Sequence, residues 1–166
     1  MTEDSPLTDK LILIVDDEPD ILATLEDELD MCRIHKATDF DTAFQNLARH
    51  TYDAVILDIM GVKGFELLKN AVSRGFPTIM LTAHALTPDA LKKSIQLGAV
   101  SFFPKEKMSE LMPFLEDVVT YGGAPAWQRT FKSMGGYFDK RFGHDWHTKD
   151  KFFKQLMQEL EESSRD

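Results

Sequence analysis

Four short apolar runs in this chain each end in a reactive polar residue: Leu11–Val15 at Asp16 and Asp17, Ala54–Leu57 at Asp58, Pro77–Leu81 at Thr82, and Val100–Pro104 at Lys105. Continuous apolar runs of this kind are what strands buried on both faces look like, and such strands occur in parallel sheets covered by helices. If the runs are neighbours in one sheet, their C-terminal ends lie side by side. In open α/β sheets that edge is where ligands bind.

Helical spacing fills the intervals. Pro19 suits the first turn of a helix, and Ile21, Leu22, Leu25 and Leu29 recur on one face up to about Met31. Arg33–Ala37 is a weakly apolar strand suited to an edge. Asp39 is placed to cap a helix through about Arg49 that buries Phe40, Ala43, Phe44 and Leu47. Phe65, Leu67, Leu68 and Val72 give a third helix ending near Gly75. Pro88 opens a fourth, bearing Leu91, Ile95 and Leu97 and stopping at Gly98. After Val100–Phe103 a fifth carries Leu111, Met112, Leu115, Val118 and Val119, with Pro113 early enough to be tolerated. Five such units predict a doubly wound parallel sheet of five strands, α/β in class.

The strand ends have a chemistry of their own. Carboxylates of Asp16, Asp17 and Asp58 about 5 Å apart would repel by roughly 3 kcal/mol per pair at an effective dielectric near 20. A positive group must therefore sit among them. Clustered carboxylate oxygens suit a hard divalent cation such as Mg²⁺, which keeps waters and shares itself with a phosphate. A carboxylate held between that ion and the Lys105 ammonium is placed to attack phosphorus, and the Thr82 hydroxyl can donate to the arriving oxygens. Taken singly, an Asp-Asp pair reads as a turn or helix cap, Lys105 as a solvated charge and Thr82 as a strand-end hydroxyl. Their joint occurrence at four strand ends points to a site.

At this point the residues resemble the receiver domain of bacterial two-component response regulators, across roughly residues 8–121, in the segments ILIVDDEPDI, AVILD, PTIMLTAHA and GAVSFFPKE. The resemblance implies a flavodoxin-like sheet of order 2-1-3-4-5 and a phosphoacceptor with at most slow self-dephosphorylation. It makes Asp58 the phosphoacceptor, Asp16 and Asp17 the acidic pair helping to hold Mg²⁺, and Met60 a backbone-carbonyl ligand. Thr82 becomes the switch hydroxyl, Lys105 the phosphate-contacting lysine and Phe102 the aromatic switch residue. The implied donor is a histidine kinase or phosphotransfer protein. The output is a protein contact, with a downstream target or a second copy, through the C-terminal helices or the face of the fourth helix, fifth strand and fifth helix.

The sequence departs from the family in two places. The loop after Asp58 reads Ile-Met-Gly-Val-Lys-Gly, with Gly64 six residues on where the family has its glycine eight on, so two residues are missing. Glu106 stands where many relatives have proline after the lysine, and Pro104 precedes it instead. Phe102 has no hydroxyl, so a switch through it works by burying or exposing a ring. His84 and Met60 are placed to influence water access to an acyl phosphate.

Gly122–Gly123–Ala124–Pro125 marks a hinge over 122–126. Beyond it, in 127–166, Trp127, Phe131, Met134, Phe138 and Phe142 form a helical stripe crossed by Gly135–Gly136, giving one kinked helix or two short ones. Thr148 is placed to cap a last helix with Phe152, Phe153, Leu156, Met157 and Leu160 on one face. His144, Asp145 and His147 lie close in sequence but read as a loop. Such stripes predict packing on the receiver or pairing between chains.

Charge narrows the partners. The net charge is −9, yet residues 1–122 hold 11 Lys and Arg against 21 Asp and Glu, and the remainder 8 against 7. An acidic body disfavours phosphate-rich partners, nucleic acid and anionic lipid alike, and the short, nearly neutral tail is a poor DNA-binding domain. No run is long enough to span a membrane. Cys32 has no partner for a disulfide, and Met1–Pro6 lacks the basic and apolar regions of a signal peptide, so a cytoplasmic protein is expected. Two rivals to the switch are a phosphohydrolase of the haloacid dehalogenase kind, which would want an Asp where Met60 stands, and a degenerate receiver acting only as a binding or dimerisation module.

Overall fold

A computed structural model describes residues 5–83, 86–121 and 126–163. His84 and the hinge residues Gly122–Pro125 lie outside the described residues. Five strands, β1 (Leu11–Val15), β2 (Arg33–Ala37), β3 (Ala54–Leu57), β4 (Thr78–Thr82) and β5 (Ser101–Pro104), form one parallel sheet in the order β2-β1-β3-β4-β5. The predicted class and order are those observed. β1, β3 and β4 are buried almost throughout, as their unbroken apolar runs require. β2, the run with least apolar content, takes one edge.

Helices α1 (Pro19–Glu28), α2 (Phe40–Arg49), α3 (Gly64–Ser73), α4 (Pro88–Gln96) and α5 (Leu111–Thr120) alternate with the strands. The Asp39 carboxylate accepts from the Thr42 backbone N–H at 2.8 Å and Thr87 caps α4 in the same way, so two orphan donors are satisfied. Gly75 and Gly98, both at positive φ, end the third and fourth helices.

Two predictions need correction here, and one element was not foreseen. The first helix stops at Glu28, three residues short of Met31, although Leu29 beyond it remains buried. Phe44 is 44% exposed: Ala43 and Leu47 fill the sheet-facing stripe, and Phe44 instead stacks on Phe40 at its rim. Between β5 and α5 lies a 3-10 segment, Lys105–Glu110, which no periodicity announced.

The last part of the chain forms α6 (Trp127–Phe142), a short α7 (Trp146–Lys149) and α8 (Lys151–Ser163). α6 runs unbroken through Gly135 and Gly136. The start of α8 is held by Asp150, whose carboxylate accepts from the Phe152 N–H at 2.7 Å; Thr148 lies inside α7 and donates to the Asp145 carbonyl instead of capping. Of these, α6 covers β5. The Ala126 N–H donates to the Val100 carbonyl, Trp127 Nε1 donates to the Ala99 carbonyl, and the buried hydroxyls of Ser101 and Thr130 are 2.6 Å apart. β5 is therefore a buried strand at the edge of its sheet. Trp146 packs among Phe131, Phe138, Phe142 and Phe153, so the extension also has a small aromatic core of its own.

Candidate functional site

The order of the sheet reverses between β1 and β3, and the C-terminal ends of those two strands carry Asp16 and Asp58. Their backbones continue the ladders: Asp58 N–H donates to the Val15 carbonyl at 2.9 Å and Asp16 N–H to the Ala37 carbonyl at 3.1 Å. Pairing thus places the two carboxylates side by side at the crevice where such sheets bind ligands. Asp17, exposed at the rim, completes a group of three carboxylates with oxygens within 4.8 Å of one another. On the far side, β4 and β5 pair Thr82 with Pro104, so the next residue, Lys105, leaves the sheet beside the buried Thr82.

Lys105 spans the site. Its Nζ lies 2.8 Å from Asp16 Oδ2, 2.8 Å from Glu18 Oε2 and 3.6 Å from Asp58 Oδ2, with the lysine side chain 7% exposed. Burial opposes its charged form, but pairing with Asp16 and Glu18, and the charge of Asp58, outweigh that and hold the ammonium at about 12. Burial, and then the Asp16 charge, push Asp58 up to about 6 against the opposing Lys105. Burial likewise raises Asp16. Desolvation and neighbouring negative charge hold both carboxylates above their ordinary range despite the adjacent lysine.

The donor set fits a hard cation. Asp16 Oδ1 accepts from the Glu18 N–H at 2.9 Å, whereas Oδ2 is buried without a hydrogen bond of standard geometry and is held by the lysine charge alone. An oxygen-only group with such an open lone pair suits Mg²⁺ or Ca²⁺ chemistry rather than that of a softer metal.

The shortened loop after Asp58 is turned by two residues at positive φ, Gly61 (84°) and Lys63 (53°), before α3 begins at Gly64. It crowds the site from below. A Cβ on Gly61 would stand 2.3 Å from Asp17 Oδ2, and one on Gly64 2.1 Å from the Asp58 backbone oxygen. Missing two residues, the chain reaches its helix only by passing where a side chain cannot fit. Met60 turns its side chain outward, 53% exposed.

Among the described residues, every predicted polar site residue therefore lies at the C-terminal edge of the sheet, and Asp16, Asp17, Asp58 and Lys105 meet. Phe102 sits apart, one strand-turn earlier in the core, fully buried with its ring centroid 6.2 Å from that of Phe138 in α6. Glu18 was not singled out from the sequence: it joins Lys105 across 87 positions, and its only local signal is that it directly follows the acidic pair.

A family model for the response regulator receiver domain matches residues 12–116. The chain belongs to that family. The response regulator GtcR of Aneurinibacillus migulanus is 36% identical over 101 residues, and a two-component response regulator of Arabidopsis thaliana 34% over 100. The matches cover 58% and 57% of this chain but only 41% and 16% of those proteins, so the chain spans less than half the length of either relative. Among solved structures, the non-phosphorylated HemR receiver domain of Leptospira biflexa is 30% identical with a TM-score of 0.58, over 66% of this chain and 94% of that one. The signal receiver domain of an HD-domain-containing protein from Pseudomonas fluorescens gives 25% and 0.63, over 69% and 97%. The receiver thus accounts for the sheet and its site, and these matches leave about a third of the chain uncovered.

Proposed function

We propose that this receiver takes a phosphoryl group on Asp58 from a phosphohistidine of a histidine kinase or phosphotransfer protein in the cytoplasm, and signals by conformational switching and protein contacts. In this reading residues 8–121 carry the switch and residues 127–166 its helical extension. The observation that carries it is the single buried lysine reaching Asp16 and Asp58 at one strand edge, with a third carboxylate beside them.

An Asp58 carboxylate oxygen forms the bond to phosphorus while the phosphorus–nitrogen bond of the donor breaks, its electron pair returning to the imidazole. Asp16, Asp17, Asp58 and the Met60 backbone carbonyl would hold Mg²⁺, which supplies charge neutralisation for the phosphoryl oxygens. Lys105, already 3.6 Å from Asp58, meets an equatorial oxygen and Thr82 donates to another. Hydrolysis of the acyl phosphate is slow, because none of these side chains is placed as a general base for water.

Treatment with acetyl phosphate and Mg²⁺ tests the assignment by intact mass. Wild type gains one hydroxylamine-sensitive phosphoryl group, a metal chelator abolishes the gain, and Asp58→Asn gains none. Retention of acid-labile phosphate by Asp58→Asn would overturn the assignment.

A further inference from the structure

Lys105 is shared unequally. Its Nζ lies 2.8 Å from a carboxylate oxygen of Asp16 and 2.8 Å from one of Glu18, both where β1 passes into α1, but 3.6 Å from Asp58 at the end of β3. Asp16 and Asp58 are buried, whereas the Glu18 side chain is 47% exposed and stands at the rim. Glu18 occupies the N-cap of α1, where a side chain ordinarily accepts from a backbone N–H of the first turn, yet it makes no such cap bond. It reaches across to the lysine instead. Its own N–H donates to Asp16 Oδ1 at 2.9 Å, so the turn that presents Asp16 to the site also presents Glu18 to Lys105.

Resting on the phosphoacceptor reading above, we infer that Glu18 is a positioning residue that restrains loading of Asp58 by holding the Lys105 ammonium toward β1. A phosphoryl group on Asp58 needs that ammonium against one of its oxygens. With Glu18 in place, the lysine either gives up a 2.8 Å ion pair to reach it or serves two anions at once. Glu18 Oε2 is linked to Asp58 Oδ2 through a single atom, Nζ, so a dianion arriving at Asp58 stands close enough to the Glu18 carboxylate to be repelled by it. Both routes oppose loading. Glu18 also lies outside the group of three carboxylates that fits a cation, so neutralising it leaves those ligands in place.

Glu18→Gln keeps the size of the side chain and removes its charge. Full-length wild type and variant are titrated with beryllofluoride at saturating Mg²⁺, with occupancy followed by fluorine NMR, and the initial rate of phosphoryl gain from acetyl phosphate is read by intact mass. Glu18→Gln is expected to bind beryllofluoride about fivefold more tightly and to gain phosphoryl faster, a change of the size that a half-exposed ion pair supports. The advantage shrinks as ionic strength rises from about 0.05 to about 0.5 M, because salt screens an exposed charge. A structural loss at the start of α1 would instead lower affinity and rate together. No bound fluorine signal in wild type overturns the phosphoacceptor reading and this inference with it. A bound signal with unchanged or weaker affinity in Glu18→Gln, or an advantage that ignores salt, overturns the inference alone.

Discussion

At the scale of single residues, the loop leaving Asp58 is held by atoms that cannot yield. A Cβ on Gly64 would meet the Asp58 carbonyl oxygen at 2.1 Å and the Ile59 Cα at 2.7 Å, both backbone, whereas the Gly61 contact is to a carboxylate that can turn. Gly64→Ala is therefore expected to destabilise by about 3 kcal/mol, the upper part of the overpacking range, read as a lower denaturant midpoint. His35 makes a second residue-scale prediction. Its Nδ1 is 2.8 Å from the Tyr52 hydroxyl, and burial, then the His50 and Arg33 charges, hold it below its ordinary value of 6.5. The unfolded chain takes the proton first, so this contribution is intact above about pH 6.5 and is lost as pH falls toward the lower folded value. Comparing denaturant midpoints of wild type and His35→Gln between about pH 8 and pH 5 checks it: the wild type loses more on acidification, and equal losses would count against His35 as the source.

At the scale of elements, α6 carries two glycines in its middle at a cost of roughly 0.5–1 kcal/mol each. Its continuity is held from outside, by Thr130, Met134 and Phe138 buried on one face. An added Cβ meets nothing within 4 Å at either position, so Gly136→Ala is expected to stabilise by about 0.5–1 kcal/mol in the denaturant midpoint. The same helix marks the limit of what the sequence makes legible. Strands β1, β3 and β4 are read from their apolar runs because burial on both faces leaves a local trace, and the polar residues at their ends follow in the chain. Thr148 fails as a cap because Asp150, two residues later, reaches the Phe152 N–H. Nothing local announces that Phe138 lies on Phe102, that Trp127 donates to Ala99, or that Glu18 shares Lys105 with Asp16. These pairings join residues 28 to 87 positions apart, and periodicity is silent at that range.

For the whole molecule, burial decides whether the extension and the receiver unfold as one. Trp127, Met134, Phe138, Trp146 and Phe153 are each at most 6% exposed. At about 2 kcal/mol apiece their burial, within the extension and against β5, amounts to on the order of 10 kcal/mol. Phe138 shares its burial with Phe102 and Trp127 is bonded to the Ala99 carbonyl, so receiver and extension are expected to unfold together. Tryptophan emission reports only α6–α8, whereas far-ultraviolet circular dichroism reports every helix and strand; for the full chain the two urea transitions are expected to coincide. An earlier tryptophan transition would mean that the extension is an independently folding appendage, and that its contacts with Ser101, Phe102 and Ala99 are too weak to bind it to the sheet.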